Sequence, residues 1–325
     1  MTSKIVSSTY VSGSSGNFTA NLTGLTPNTT YYFTAYAVVN GTGDYSSDEK
    51  TIEASSYGTF TMPAAESAKP AVSGKSWLEL PAAVSNSNYL VNTYYDGSES
   101  DANRNYTHCY DKSTYTSLWT AYHLNSSHMG SGRSDNWGFS PKIDTKYQVD
   151  LTDLSYNDNY SRGHMIPNAS RNGNSTMQTQ TFYVTNSVPQ IHEKFNGGIW
   201  QNLEAALQKI GESEEIYIVT GVAFNKVGEN KIINYTTAKD DTKDVPVPNY
   251  FYKVVLKVNK SGNNVTASAV GFWFEHKTYS DSYTNYAVSV DQIEQWTGFD
   301  FFVNLPDSVE NEAESNESWS TFNAF

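Results

Sequence analysis

The stretch from Tyr160 to Glu204 holds the side chains whose types and spacing could hydrolyse a phosphodiester. It contains three runs in order: YSRGHMIPNASR, TFYVTNSVPQ and FNGGIWQNLE. Such hydrolysis needs a base to deprotonate water, a cation to neutralise charge on the phosphorane and the leaving oxygen, and an arginine to clamp the non-bridging oxygens. His164 can supply the base, because an unperturbed imidazole titrates at about 6.5. A hard ion such as magnesium keeps several waters and needs few protein ligands, and the Asn196 carboxamide oxygen is an acceptable one. Glu204 lies eight residues further on. On a continuous helix that is about 12 Å of rise and roughly 80° of rotation. One ion is therefore not expected to reach both, and Glu204 is expected to hold a water of the ion instead.

These side chains need elements to position them. His164 is expected at the end of one strand, Thr185-Asn186 at the end of a second, and Asn196 at the start of a helix. A helix start also favours an anionic phosphate. Helical spacing of Trp200, Leu203, Leu207 and Ile210 supports that helix, with Gly211 as its stop. A second helix is expected in SVDQIEQWTG, opened by Ser289. Strands are expected in NYLVNTYY, SLWTAYHL, TFYVTNSV, EIYIVTGVAF, YFYKVVLKVN and NVTASAVGFWF, which are rich in β-branched and aromatic residues.

Arg162-Gly163-His164 alone is a weak motif, and order and spacing make it specific. Ser161-Arg162-Gly163-His164, then Thr185-Asn186-Ser187-Val188-Pro189-Gln190, then Asn196-Gly197-Gly198-Ile199-Trp200-Gln201-Asn202-Leu203-Glu204 resemble the fingerprint of the DNA/RNA non-specific endonucleases. This is the ββα-metal, or His-Me finger, group of endonuclease G-like enzymes. SLWTAYHL, GSGRSDNWGFSP, VPVPNYFYKVVLK and TGFDFFVNLP resemble further segments of that family, so the likeness runs from about Tyr89 into the C-terminal region. The resemblance implies an α+β fold: a ββα-metal finger with a central antiparallel sheet flanked by helices. It implies that His164 is the general base and that Asn196 is the sole direct protein ligand of magnesium, or of manganese in its place. Glu204 would act through water and Asn186 would support the site, while Arg133 and Arg162 would contact phosphate. DNA and RNA would be the substrates, cut with little base specificity to 5′-phosphate and 3′-hydroxyl ends.

The sequence departs from the family at two positions. Ser161 stands where the family has Asp, which weakens carboxylate support of Arg162 or of the hairpin. Gln208 stands where some members have an arginine, leaving Lys209 and Arg171 as substitutes. Both departures predict lowered affinity rather than lost activity.

The net charge of −13 argues against a tight coat on nucleic acid, since phosphate affinity normally comes from Lys and Arg. Much of the acid sits late in the chain, at Asp300, Asp307, Glu310, Glu312, Glu314 and Glu317, and is expected to form a solvated or frayed face. Residues 160–210 instead carry four basic and two acidic side chains, a net of two positive charges. One cysteine, Cys109, excludes an internal disulfide and any multi-cysteine zinc site, and reads as a small buried side chain. The other histidines, His108, His123, His128, His192 and His276, read as ordinary strand or surface residues.

No apolar run reaches 18 residues, which excludes a transmembrane helix and gives no membrane partner. Residues 1–55 read as short strands that resemble the closing half of a fibronectin type III domain, a partial all-β sandwich, on NFTANLTGL, TYYFTAYAVV and GTGDYSS. Residues 56–76 read as a Ser-, Ala-, Pro- and Gly-rich linker, and 77–325 as the endonuclease-like domain. MTSKIVSSTYVSGSSG lacks the apolar stretch of a signal peptide. With the sandwich incomplete, the expectation is a fragment of an exported or cell-surface protein whose leader lies upstream or has been removed. Two other functions compete with the nuclease. One is a cell-surface adhesion or carbohydrate-binding protein on a nuclease-like scaffold, motivated by the fibronectin-like segment and the 14% aromatic content. The other is a phosphodiesterase for small molecules.

Overall fold

The computed structural model describes residues 30–38, 51–61, 70–262 and 264–325. The chain divides into two compact units, Met1–Ala68 and Lys69–Phe325. In the first, β1 (Thr30–Val38) pairs antiparallel with β2 (Thr51–Thr61). The expected strand NFTANLTGL and turn GTGDYSS lie outside the described residues. β2 runs six residues past the expected boundary at 55.

The second unit is α+β. It opens with β3 (Tyr89–Tyr95), β4 (Arg104–Asp111) and β5 (Thr116–Leu124). Then come β6 (Tyr160–His164), α1 (Ser175–Thr181), β7 (Ser187–Ile191) and α2 (Gln201–Gly211). β8 (Ile216–Ala223) leads to the two-residue strands β9 (Tyr235–Thr236) and β10 (Val245–Pro246), followed by the long strands β11 (Tyr250–Ser261) and β12 (Asn264–Glu275). The chain closes with β13 (Ala287–Val288), α3 (Val290–Thr297), α4 (Asp307–Glu314) and α5 (Trp319–Ala324). Seven strands form one antiparallel sheet in the order β13-β12-β11-β8-β5-β4-β3, and β6 and β7 pair as a separate hairpin.

Both faces of the sheet are covered, which is why its central strands are apolar on both sides rather than alternating. On β11, Phe251 and Val255 belong to the core shared with Phe195, Trp200 and Leu203 of the β7–α2 region. Their neighbours Tyr252 and Val254 belong to the opposite core, with Ile293 of α3 and Ala313 of α4. Among the described residues no helix is long and apolar enough to cross a membrane.

Three expectations need correction. TFYVTNSV is not a strand: α1 ends at Thr181, Val184–Asn186 form a 3-10 turn, and β7 begins after Asn186 rather than ending there. An apolar run of this length cannot by itself be told from a buried turn. The regular helix begins at Gln201, not Asn196, because Glu193, Lys194, Gly197 and Gly198 all leave helical φ/ψ in the preceding wide-turned segment, His192–Trp200. Gly211 does not stop α2 by left-handed geometry. It is the helix's last residue, and a side-chain carbon there would press on Leu124 of β5, so glycine allows the close approach.

Three histidines, His108, His123 and His128, are buried, while His276 is half-buried and His192 exposed. His108 of β4 is fully enclosed, and burial lowers its pKa to about 3. A depressed imidazole contributes stability above its unfolded pKa, and that contribution is lost as pH falls from about 6.5 towards the folded value. Unfolding free energies from urea titrations between pH 6 and pH 4 should therefore fall with acid by about 1.4 kcal/mol per pH unit for His108 alone. His108→Gln should flatten that slope, and an unchanged slope would mean His108 is protonated in the folded protein. Cys109 is buried as expected, and burial pushes its thiol up to about 12.

Candidate active site

The β6–β7 hairpin brings the arginine–glycine–histidine run against the proline–glutamine run. Gly163 pairs with Val188, and His164 with Ser187. A side-chain carbon on Gly163 would overlap the Gln190 side chain, so the motif's glycine is required by the closeness of Gln190 across the hairpin. Asn186 locks the chain just past His164. The Ile166 N–H donates to its Oδ1 at 3.0 Å, and its Nδ2 donates to the carbonyls of Ile166 and Thr181 at 3.0 and 2.8 Å. Fully buried, Asn186 thus supports the site from behind and cannot touch substrate. A second link ties this turn to the sheet. Ser117 Oγ of β5 donates to the Thr185 carbonyl at 2.8 Å, which leaves His108 Nδ1, 3.0 Å away, to donate to Ser117.

His164 stands between two aromatic rings, 4.8 Å from Trp137 and 5.2 Å from Phe182 between centroids. The two expected arginines meet it there. The Arg162 guanidinium lies 4.7 Å from the Trp137 ring and donates to the Leu151 carbonyl at 2.8 Å. The Arg133 guanidinium lies 5.0 Å from the Phe182 ring. It is 52% exposed and paired at 3.0 Å with Asp135. The His164 side chain is half-buried, but its Nε2 is shielded from solvent and has no hydrogen-bond partner among the described residues. Burial, followed by the Arg133 charge, lowers its pKa to about 3, with Asp135 opposing. The imidazole is therefore neutral at any physiological pH, with a free nitrogen lone pair beside two guanidinium groups.

Asn196 lies on the segment between β7 and α2, and Glu204 lies in α2. Both hairpin strands pack against His192–Trp200, which carries Asn196. The Asn196 carboxamide is half-buried and makes no hydrogen bond with the described residues. Because α2 begins only at Gln201, the continuous-helix separation between Asn196 and Glu204 does not apply. Glu204, in the first turn of α2, faces Lys253, a residue that sequence reasoning did not single out. The Lys253 ammonium is 3.4 Å from Glu204 Oε1, donates to Thr220 Oγ1 at 2.7 Å and lies 4.4 Å from the Trp200 ring. Its side chain is 0% exposed, against 15% for Glu204. Burial raises the Glu204 carboxyl and lowers the Lys253 ammonium, and each partner's charge opposes the other's shift. Glu204 Oε1 is within ion-pair reach of Lys253 yet has no donor in hydrogen-bond geometry, so a lone pair is left over. The available signal was a lysine inside the apolar run YFYKVVLKV, where a charge is costly unless paired.

The two departures acquire a structural account. Ser161 Oγ lies 3.0 Å from His192 Nδ1 across the hairpin, so the small hydroxyl joins β6 to the start of the Asn196 segment. Gln208 donates to Ser170 Oγ at 3.3 Å. Arg171 cannot substitute for the missing arginine. It is fully buried and saturated by Asn105 Oδ1 and the carbonyls of Asn105, His123 and Ser170 at 2.6–2.9 Å. Lys209 is exposed and paired with Glu212 at 2.5 Å.

The sequence model of the family described as DNA/RNA non-specific endonuclease matches residues 86–308, more than half of the chain. A nuclease of Nostoc is 30% identical over 220 residues, spanning 65% of this chain and 75% of the relative. A mitochondrial nuclease of Homo sapiens, EXOG, is 26% identical over 221 residues, and the match spans 64% of this chain and 58% of that protein. The crystal structure of an EndoG/EndoGI complex superposes with a TM-score of 0.54 at 21% identity, covering 68% of this chain and 89% of that one, which establishes a shared fold.

Proposed function

This chain belongs to the DNA/RNA non-specific endonuclease family, and from that premise we propose that it hydrolyses DNA and RNA with His164 as the base and a divalent cation held at Asn196. The observation that carries the reading is the shielded, unpartnered His164 Nε2 beside Arg133 and Arg162. In the reaction, water attacks phosphorus and its proton passes to His164 Nε2. The bond to the 3′ oxygen breaks, leaving a 5′-phosphate, and solvent protonates the departing 3′ oxygen. An anionic phosphate near His164 raises its basicity, since opposite charge favours the imidazolium. Arg133, exposed and held by one carboxylate, is free to turn its fork onto a non-bridging oxygen. Arg162 is anchored by Leu151 and Trp137 and supplies fixed positive charge.

The residues present fit a hard cation. Asn196 offers a carboxamide oxygen with no hydrogen-bond partner among the described residues, and Glu204 Oε1, likewise without a donor there, can accept a hydrogen bond from water in the ion's remaining positions. When bound, magnesium, or manganese in its place, neutralises charge developing on the phosphate and the leaving oxygen. The Lys253 charge opposes the burial-driven rise of the Glu204 carboxyl and so favours the ionised form that accepts such a bond best. Asn196→Ala should raise the magnesium concentration needed for half-maximal plasmid cleavage by about 10–100-fold. An unchanged magnesium requirement would move the ion elsewhere.

Export or display at the cell surface is part of this proposal. It is supported by the Asn-, Ser-, Thr- and Tyr-rich composition, with 24 tyrosines, and it is tested by fractionating cells that express the full-length gene.

A further inference from the structure

The acidic stretch expected to be a solvated face is in part folded inward. Asp307, Glu312 and Glu317 are exposed, but Glu310 is half-buried and Glu314 is only 4% exposed. Glu314, the last residue of α4, meets Asp291 and Glu294 of α3, so that one oxygen from each carboxylate lies within 4.8 Å of the others. Among the described residues this is the one grouping of three such ligands. It lies with the core on the sheet face opposite the β6–β7–α2 unit, where Val290, Ile293 and Ala313 pack.

We propose that Asp291, Glu294 and Glu314 form a calcium-class divalent cation site that clamps α4 to α3. Two oxygens bound to one calcium at about 2.4 Å can be no more than about 5 Å apart, and this triad meets that limit. The second observation is Glu314 itself. Its Oε1 is shielded from solvent and has no hydrogen-bond donor among the described residues, and the same nearly buried carboxylate places an oxygen in the triad. Glu294 receives one donor, the Phe301 N–H at 2.7 Å, which orients its carboxylate. Every charged group acting on Glu314 is another carboxylate: Glu294, Glu310, Asp291 and Asp300. Asp307 adds to the charge around Glu310. Burial and these like charges lift Glu294 and Glu310 to about 8 and Glu314 well above the usual carboxylate range. Such a group needs either protons or a cation. The donor set is all oxygen, with no imidazole or thiolate, which favours calcium over zinc. Flexible carboxylates around a partly enclosed centre also suit calcium's wide coordination better than magnesium's strict octahedron.

The test uses the full chain carrying Asn196→Ala, so that the proposed catalytic ion does not contribute. Terbium stands in for calcium, with its emission excited through tryptophan, of which Trp296 lies on α3 itself. The expected result is saturable terbium emission displaced by calcium, and a calcium-dependent rise in melting temperature. Adding Glu314→Gln or Asp291→Asn should weaken calcium binding at least tenfold and remove the rise. In EDTA at pH 8, Glu314→Gln should melt above its parent, because the amide neither repels its neighbours nor has to take up a proton on folding, and this also shows that the variant folds. The proposal is overturned if calcium gives no melting shift at millimolar concentration. It is equally overturned if the shift and the emission survive both carboxylate substitutions.

Discussion

His164→Ala should cleave neither supercoiled plasmid nor RNA at wild-type rates in magnesium, with kcat/KM reduced by about 10²–10⁴-fold. The wild type should cut both substrates and stop in EDTA. The magnitude follows from the role: without the imidazole, water must lose its proton to solvent, while Arg133, Arg162 and the ion remain in place. The shape of the pH profile checks the same assignment. Burial lowers His164 to about 3 in the free protein, so kcat/KM should stay flat as pH falls through the usual imidazole range near 6.5. The acid limb of kcat should lie higher than that of kcat/KM, because bound phosphate favours the protonated ring. Cleavage retained by the variant would mean that another group is the base. An acid limb of kcat/KM at 6.5 would mean that the ring is solvated in the free protein.

Lys253→Met should cost about 3–5 kcal/mol of stability, the usual penalty for leaving one member of a buried ion pair alone. Lys253 is wholly enclosed and Glu204 nearly so, which leaves little solvent screening to soften the loss. Activity should fall with it, since an unpaired Glu204 favours its protonated form, whose neutral carboxyl is a weaker acceptor than the carboxylate for a water of the proposed cation. The pH dependence has a definite sign. With its carboxyl raised above the unfolded value near 4.5, Glu204 in the variant binds a proton more tightly when folded. The deficit should therefore be largest at neutral pH and above, and should shrink as pH approaches 4.5. Lys253→Met combined with Glu204→Leu should recover most of the stability and none of the cleavage, because two apolar side chains can replace a buried pair. Chemical denaturation of the two single variants and the double variant measures the coupling. A loss below about 1 kcal/mol in Lys253→Met would mean the two groups are not paired as charges.

Most of the site's identities were legible along the chain. Gly163 next to His164, the proline–glutamine run and the asparagine–tryptophan–glutamate run recur as a set because each meets a local requirement. Gly163 makes room for Gln190, Asn186 brackets Ile166, and Trp200 and Leu203 seat the start of α2 in the core. The long β-branched and aromatic strands were legible too, since both sheet faces are covered and their apolar runs are nearly continuous. Where β7 begins was less legible. Phe182 and Val184 are as apolar as strand residues, but they are buried from a turn fixed by Asn186 and Ser117.

The sequence by itself therefore determined the α+β class and the family, and it singled out the candidate side chains His164, Arg133, Arg162, Asn186, Asn196 and Glu204. These follow from residue type and short-range spacing, which a linear string carries in full. Only the tertiary structure decided the electrostatics. It set Lys253 against Glu204 across 49 residues, sealed Arg171 away from any phosphate, and turned Glu314 towards Asp291 and Glu294. The reason is physical: a charge's role depends on its burial and on which charges lie within a few ångströms, and the folding of strands and helices onto one sheet sets both.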